Sequence, residues 1–305
     1  MPRLSIIIPV FNRAHCISRA LASVREQWVG DFELIIGDDA STDDTWEVVR
    51  REFPSARLAR LEVNSSAAAA RNAALRIATG EFLAFLDSDD EWLPGKMAAQ
   101  LGFLEKHPEV AACACSHVFC RRDSLRRDVR LENPADWRVA LHSGQWFHGA
   151  STPLVRRSVL DSVGLLDESL RVLEDWDWML RISQQHRIHV LPEKLAVIHE
   201  NGPSDPDFTK VSTERFLAKH EADFRAVGAR HFRRMASQHW ENAARCFFRH
   251  SRNREGIACV VRSLAFSPAR NPAVAAAMPL AFIDGILGTQ FLRRVLKSRG
   301  GYSLN

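Results

Sequence analysis

The chain of 305 residues lacks the marks of several protein classes. Its six cysteines contain no Cys-x-x-Cys pair, so neither a zinc ribbon nor a disulfide framework is indicated. With 15 glycines and 13 prolines, no long flexible linker and no collagen-like or low-complexity tract is expected. A single tyrosine is a compositional oddity without functional content. The first apolar run is followed by Phe11-Asn12-Arg13, with no glycine to admit a pyrophosphate, and no GxxxxGK[ST] occurs. These two absences remove the main support for a dinucleotide-dependent dehydrogenase and for a P-loop NTPase. Residues 273–292 are apolar but broken by Pro279, Asp284, Gly285 and Gly288, short of the roughly 20 clean residues of a membrane span. The amino end enters its first apolar run without a basic leader or cleavage site. A reducing, cytoplasmic setting is therefore expected.

What is present is an ordinary globular composition, 46% hydrophobic and 26% charged, at a length that suits two domains. The net charge of +4 hides an asymmetry. Residues 1–205 carry 24 Lys and Arg against 30 Asp and Glu, whereas residues 206–305 carry 17 against 7. An acidic front suits metal-binding or catalytic carboxylates. A basic rear suits an anionic surface, or is simply a solvated helical face. The boundary is expected at 205/206, with a catalytic domain before it and a basic helical region after it.

Through residue 90 the pattern alternates. Apolar runs at 4–10, 32–36, 58–63 and 82–86 read as strands, the first a continuous run suited to burial on both faces. Helical spacing fills 14–27, the stretch around Trp46 and Val49, and 66–78. Strands alternating with helices imply an α/β fold with a mostly parallel sheet and right-handed crossovers. Beyond residue 92 we expect a helix at 96–105, a strand at 110–119, a charged loop at 121–133, helices at 158–163 and 175–185, and closing strands at 188–190 and 195–198. From about 206 onward only helices are expected. Ligands bind such sheets beyond the carboxyl ends of the strands. Asp38, Asp39, Asp87 and Asp89 fall at two of those ends.

Asp87-x-Asp89 offers the oxygen ligands that a hard cation, Mn2+ or Mg2+, takes alongside substrate phosphates. The Asp38-Asp39 pair can accept hydrogen bonds from a base or a ribose, and Arg71 can meet the base or a phosphate. Turns are rich in aspartate for backbone reasons, so an isolated Asp-x-Asp carries little weight. The set carries more. Ser5-Ile6-Ile7-Ile8-Pro9-Val10-Phe11-Asn12, Gly37-Asp38-Asp39-Ala40-Ser41, Ala70-Arg71-Asn72 and Leu86-Asp87-Ser88-Asp89-Asp90 resemble, in order and spacing, the family 2 glycosyltransferases. Gly164-Leu165-Leu166-Asp167-Glu168 followed by Glu174-Asp175-Trp176-Asp177 resembles that family's acceptor-side motif, so the likeness covers roughly residues 4–200.

The resemblance implies a GT-A fold, a nucleotide-diphosphate sugar donor (UDP-linked above others) and inverting transfer to a hydroxyl of a glycan or lipid-linked acceptor in surface polysaccharide synthesis. It implies that Pro9, Val10 and Asn12 border the nucleoside and that Asp39, with Asp38 beside it, holds the base. Arg71 lies against base or diphosphate, Asp87 and Ser88 contact the nucleotide, and Asp89 with Asp87 holds Mn2+ or Mg2+. His199 stands where relatives often carry a basic residue near the diphosphate or metal, or is a surface histidine. Asp175 is the general base, kept ionised by a following helix, or only that helix's N-cap. Glu174 and Trp176 face the acceptor, where Trp176 and Trp178 either stack on a sugar or pack. Trp146, Phe147 and His148 are further acceptor candidates.

Three positions depart from the family pattern. Ala40 replaces the usual glycine after the paired aspartates, and Ser65 and Ser66 replace glycines before Ala70-Arg71-Asn72. The Gln-x-x-Arg-Trp motif of processive members is missing, which implies a non-processive enzyme. A sugar nucleotidyltransferase and a non-catalytic nucleotide-binding scaffold are the alternatives. No nucleic-acid partner is expected, and the basic C-terminal region suits peripheral contact with the inner face of a membrane.

Overall fold

A computed structural model describes residues 2–27, 30–121, 125–144, 150–200 and 204–267. The chain forms two compact units. The first comprises residues 1–137, 147–168 and 174–201, and the second residues 138–146, 169–173 and 202–305.

The first unit is built on a nine-stranded mixed sheet. Strand β1 (Leu4–Val10) is buried at every residue, which is why it reads as an unbroken apolar run rather than an alternating one. It pairs in parallel with β2 (Phe32–Asp38) on one side and β4 (Phe82–Phe85) on the other, and β2 pairs in parallel with the edge strand β3 (Arg57–Arg60). Helices α1 (Ile17–Arg25), α2 (Thr45–Glu52) and α3 (Ala67–Ile77) are the crossovers. Leu4, Ile6 and Ile8 of β1 join Leu21 and Val24 of α1 and Val49 of α2 in one core. All four parallel strands therefore end on the same side, carrying Val10, Asp38 and the loop after Phe85 to one rim.

Two backbone devices shape that rim. A Cβ on Gly37 would stand 2.2 Å from the Ala70 carbonyl oxygen, so only glycine lets α3 lie this close to β2 and bring Arg71 to the rim. Ala40 adopts φ 62, the left-handed conformation that its family-typical glycine reaches without strain.

The remaining strands are β5 (Glu91–Trp92), β6 (Val110–Arg121), β7 (Leu125–Val129), β8 (Leu154–Arg156) and β9 (Arg187–Glu200), with α4 (Lys96–Lys106), α5 (Trp137–His142), α6 (Val159–Val163) and α7 (Glu174–Gln185) between them. The sheet order is β3-β2-β1-β4-β8-β6-β9-β5, with β7 paired to β6. Two sequence expectations change here. The charged stretch 121–133 is not all loop, because 125–129 folds back antiparallel on β6. Its polar character reflects an edge strand whose Arg126, Arg127 and Asp128 face solvent. The two short strands near 188 and 195 are one long strand, β9, whose register on β6 shifts between Cys115 and His117 to absorb the intervening residues.

In the second unit, α8 (Pro206–Val227), α9 (Ala229–Arg249) and α10 (Asn253–Phe266) bury Phe216, Phe224, Met235, Trp240 and Phe247. The Asp205 side chain caps α8, accepting from the backbone N–H groups of Asp207 and Phe208, and Pro206 occupies the first turn. Among the described residues no helix is long and apolar enough to cross a membrane. The apolar segment 273–292 and the basic residues after it lie outside the described residues, as do Trp146, Phe147 and His148.

Candidate active site

The carboxyl ends of β1, β2 and β4 and the amino ends of α3 and α7 surround an open cleft of about 230 Å³. Pro9 and Val10 form its β1 wall, joined by Phe11 and Arg13 from the following loop. Asn12 does not face the cleft. At φ 54 its side-chain oxygen accepts from the Thr42 N–H at 2.8 Å, and its own N–H donates to Ser41 Oγ at 3.0 Å, so it ties the β1 loop to the β2 loop.

The adjacent aspartates part company. Asp38 is buried, accepts from the Ser41 N–H at 2.9 Å, lies 3.4 Å from the Arg60 guanidinium and is not on the cleft wall. Asp39 is on the wall, with one carboxylate oxygen accepting from Asn64 Nδ2 at 2.9 Å and the other from the Ser65 N–H at 2.7 Å. The next residue, Ser66, caps α3 by accepting from the Ala69 N–H. The two serines that replace glycines thus hold Asp39 and start the helix that carries Arg71.

Arg71 is the hinge of the arrangement. The residue is 3% exposed, and its guanidinium donates at 2.6 Å to Asp87 and at 2.6 Å to Glu174. Burial disfavours its charge, but the carboxylates of Asp87 and Glu174 more than offset this and hold it protonated. One side chain therefore joins the loop after β4 to the first turn of α7, residues far apart in sequence.

The loop after β4 concentrates carboxylates. Asp87, Asp89 and Asp90 place ligand oxygens within 4.8 Å of one another. An all-oxygen set of this kind fits a hard divalent cation such as Mg2+ or Mn2+, which leaves its other positions to phosphates and water. Asp89 and Ser88 are on the cleft wall, and the Arg13 guanidinium lies 3.7 Å from Asp89 Oδ2. Asp90 is buried, and burial followed by the charges of Asp87 and Asp89 pushes its carboxyl well above the ordinary range. His199 is outside this cluster. Its backbone N–H donates to Asp90 Oδ1 at 2.8 Å, and its Nε2 lies 3.1 Å from Glu91, so it braces the loop from β9.

On the far side, Glu174 lines the cleft in its ion pair with Arg71. Helix α7 begins at Glu174, so Asp175 lies within the first turn and not before it. The expectation that the helix keeps Asp175 ionised is overturned. Burial, together with the Glu174 charge beside it, pushes its carboxyl up to about 8, outweighing the Arg71 charge and the Trp176 N–H that favour the ionised form. Leu173, just before α7, adopts φ 71, a strained conformation for this side chain. Trp176 and Trp178 are buried at 1% and 2% exposure, and Trp178 donates to the Gly164 carbonyl. Both pack, and neither is on the cleft wall.

Comparison with known proteins identifies the architecture. The family described as Glycosyl transferase family 2 matches residues 5–163, just over half of the chain. The chain belongs to that family. Among curated relatives, the Escherichia coli UDP-Glc:alpha-D-GlcNAc-diphosphoundecaprenol beta-1,3-glucosyltransferase WfaP is 41% identical over 136 residues, 44% of this chain and 53% of WfaP. The putative teichuronic acid biosynthesis glycosyltransferase TuaG of Bacillus subtilis is 42% identical over 106 residues, 34% of this chain and 42% of TuaG. The chain thus spans about half the length of the curated relatives it matches. Among solved structures, S. aureus TarS residues 1–349 in complex with UDP-GlcNAc superposes with a TM-score of 0.63 at 19% identity, covering 99% of this chain and 93% of that one. The fold is accordingly GT-A, with helices following the sheet domain.

Within this family member, the structure adds three residues that the motif reading did not assign. Asp90 follows directly on Asp89 and was legible as a fourth polar residue of the run. Arg13 has no partner pattern in the sequence, and its place beside Asp89 depends on the turn after β1. Ser151, described below, reaches the acidic loop from 61 residues away and left no local signal.

Proposed function

We propose that the protein is a metal-dependent, inverting, non-processive glycosyltransferase that moves one sugar from a UDP-sugar to a hydroxyl of a lipid-linked or glycan acceptor in surface polysaccharide synthesis. The observation that carries this reading is the Arg71 guanidinium shared by Asp87 and Glu174, which ties a cation-competent acidic loop to the carboxylate pair Glu174-Asp175. The relatives support the donor and acceptor classes, since WfaP is named for UDP-Glc and a diphosphoundecaprenol acceptor and TarS is seen with UDP-GlcNAc.

In this reading Pro9, Val10 and Asp39 receive the nucleoside, with Asn64 and Ser65 fixing the carboxylate that meets the base. Asn12 and Asp38 act one step back, by shaping the loops that carry those contacts. Asp87 and Asp89, with Asp90 behind them, would hold Mg2+ or Mn2+. A bound cation would neutralise charge developing on the departing diphosphate without a proton transfer. Asp175 takes the proton of the attacking hydroxyl, and attack opposite to the leaving group inverts the anomeric carbon in one displacement. The basic residues after 205 favour a position near anionic lipid, where a lipid-linked acceptor resides.

Calorimetric titration of UDP with Mn2+ and then with EDTA tests the reading, with GDP and dTDP for comparison. Expected is metal-dependent binding that prefers UDP and is lost in Asp89→Ala. Equal binding with and without the cation would refute the metal role, and no binding of any nucleotide would overturn the nucleotide-sugar reading.

A further inference from the structure

We infer that Ser151 is a positioning residue that holds the acidic loop in its cation-binding shape. The inference rests on the reading of Asp87, Asp89 and Asp90 as a cation site. A hydroxyl has one proton to give and two lone pairs to accept with. Ser151 Oγ donates its proton to Asp90 Oδ2 at 2.6 Å and accepts the Asp87 N–H at 3.0 Å. One buried atom therefore grips both ends of the four-residue loop, the first through its backbone and the last through its carboxylate. The other Asp90 oxygen accepts the His199 N–H at 2.8 Å, so the plane of that carboxylate is fixed from two sides, by the turn before β8 and by β9.

Ser151 is itself held rigidly. It has no solvent exposure, and its carbonyl accepts Trp92 Nε1–H at 2.9 Å. The next carbonyl, of Thr152, accepts Gln100 Nε2–H at 2.9 Å, and the same amide donates to the Cys113 carbonyl at 2.6 Å. Gln100 is oriented in turn by Lys96, whose Nζ donates to its Oε1 at 2.7 Å and sits 4.6 Å from the Trp92 ring centre. Lys96 is wholly buried. Burying an ammonium is costly, and here it fixes an amide that fixes the turn carrying Ser151. Helix α4, β5 and β6 thus converge on the turn Ser151-Thr152.

The loop needs such support because three carboxylates crowd one another before any cation arrives, and like charges push apart. Groups that orient metal ligands typically contribute 10–100-fold in metal affinity. Ser151→Ala removes only the hydroxyl and leaves the Asp87 N–H and Asp90 Oδ2 without it. Ser151→Cys keeps a weak donor of similar size.

The test is Mn2+ binding to the full chain, read from the electron paramagnetic resonance of free Mn2+, with the circular dichroism of each variant recorded in parallel as the check on folding. Expected for Ser151→Ala is about 10–100-fold weaker Mn2+ binding with the circular dichroism unchanged, and an intermediate loss for Ser151→Cys. The cysteine variant decides alone if the alanine variant does not fold. Mn2+ affinity within twofold of the parent in the serine variants, while Asp89→Ala abolishes it, would overturn the inference and leave the cation site standing. Undiminished Mn2+ binding in Asp89→Ala would overturn the cation reading and this inference with it.

Discussion

The sharpest consequence of the site geometry concerns the acid limb of its pH profile. Asp175 is lifted to about 8 by burial and by the Glu174 charge. A base with that value is ionised in roughly one molecule in eleven at pH 7, and the fraction falls tenfold for each further unit down. Glu174→Gln keeps the shape and removes the charge. A unit charge removed from about 6 Å in a medium of effective dielectric about 20 is worth about 3 kcal/mol, or about two pKa units. Burial, the larger cause, stays in place, so the limb is expected to move down yet stay above the ordinary carboxylate range.

The assay is UDP release from a UDP-sugar with water as acceptor, followed between pH 5 and 9 at fixed saturating Mg2+. The position of the limb in kcat/KM is the readout, because loss of the Arg71 partner also lowers the plateau. A cation beside Asp87 neutralises another charge that raises Asp175, so the limb is expected to move down as Mg2+ is raised in the parent protein. Asp175→Asn is expected to lose about 10²–10⁴ in rate and to show no limb in this range. A limb that stays put or moves up in Glu174→Gln, or that survives in Asp175→Asn, would refute the assignment of Asp175 as the titrating base.

Two further outcomes concern stability. Ala40 sits at φ 62, where a Cβ costs about 1–2 kcal/mol, and glycine recovers this less its own entropy loss of about 0.5–1 kcal/mol. Ala40→Gly is therefore expected to raise the urea midpoint by an amount equivalent to about 0.5–1 kcal/mol, and a lowered midpoint would contradict the strain. Burial lowers the Lys96 ammonium to about 8 from its usual 10.5, so between those values the unfolded chain binds the extra proton and stability rises with pH. The parent is expected to gain about 3 kcal/mol on Lys96→Met between pH 8 and 10.5, a difference from which the titrations common to both proteins cancel. A pH-independent difference in chemical denaturation would show that burial leaves the Lys96 ammonium at its ordinary value.

The local layers of the fold were legible because burial on both faces leaves an unmistakable mark. Leu4–Val10 and the apolar end of β2 read as strands from composition alone, and the short spacing to α3 placed Arg71 near their ends. The carboxylates at those ends followed from topology. Less was legible where a contact joins distant residues. Arg71 pairs with Glu174 across 103 positions and Ser151 reaches Asp90 across 61, and no periodicity encodes either pairing. The strand at 125–129 was missed for the opposite reason, since an exposed edge strand needs no apolar face and its charges imitate a loop.

The pleat of β2 divides the labour of the paired aspartates. Side chains alternate across a strand, so two neighbouring aspartates at a strand end cannot both face the same ligand. Asp38 is the last residue of β2, and Asp39 follows it with its N–H donating to the Val10 carbonyl at 2.9 Å, continuing the register of β1. The alternation sends Asp38 inward, where it closes the turn through the Ser41 N–H, and sends Asp39 to the cleft. The same geometry explains why Asp39 needs Asn64 and Ser65. A carboxylate leaving the strand has no ladder to orient it, so its direction is set from the neighbouring loop. At this end of the sheet, position in the pleat separates the residue that shapes the loop from the residue that faces the cleft.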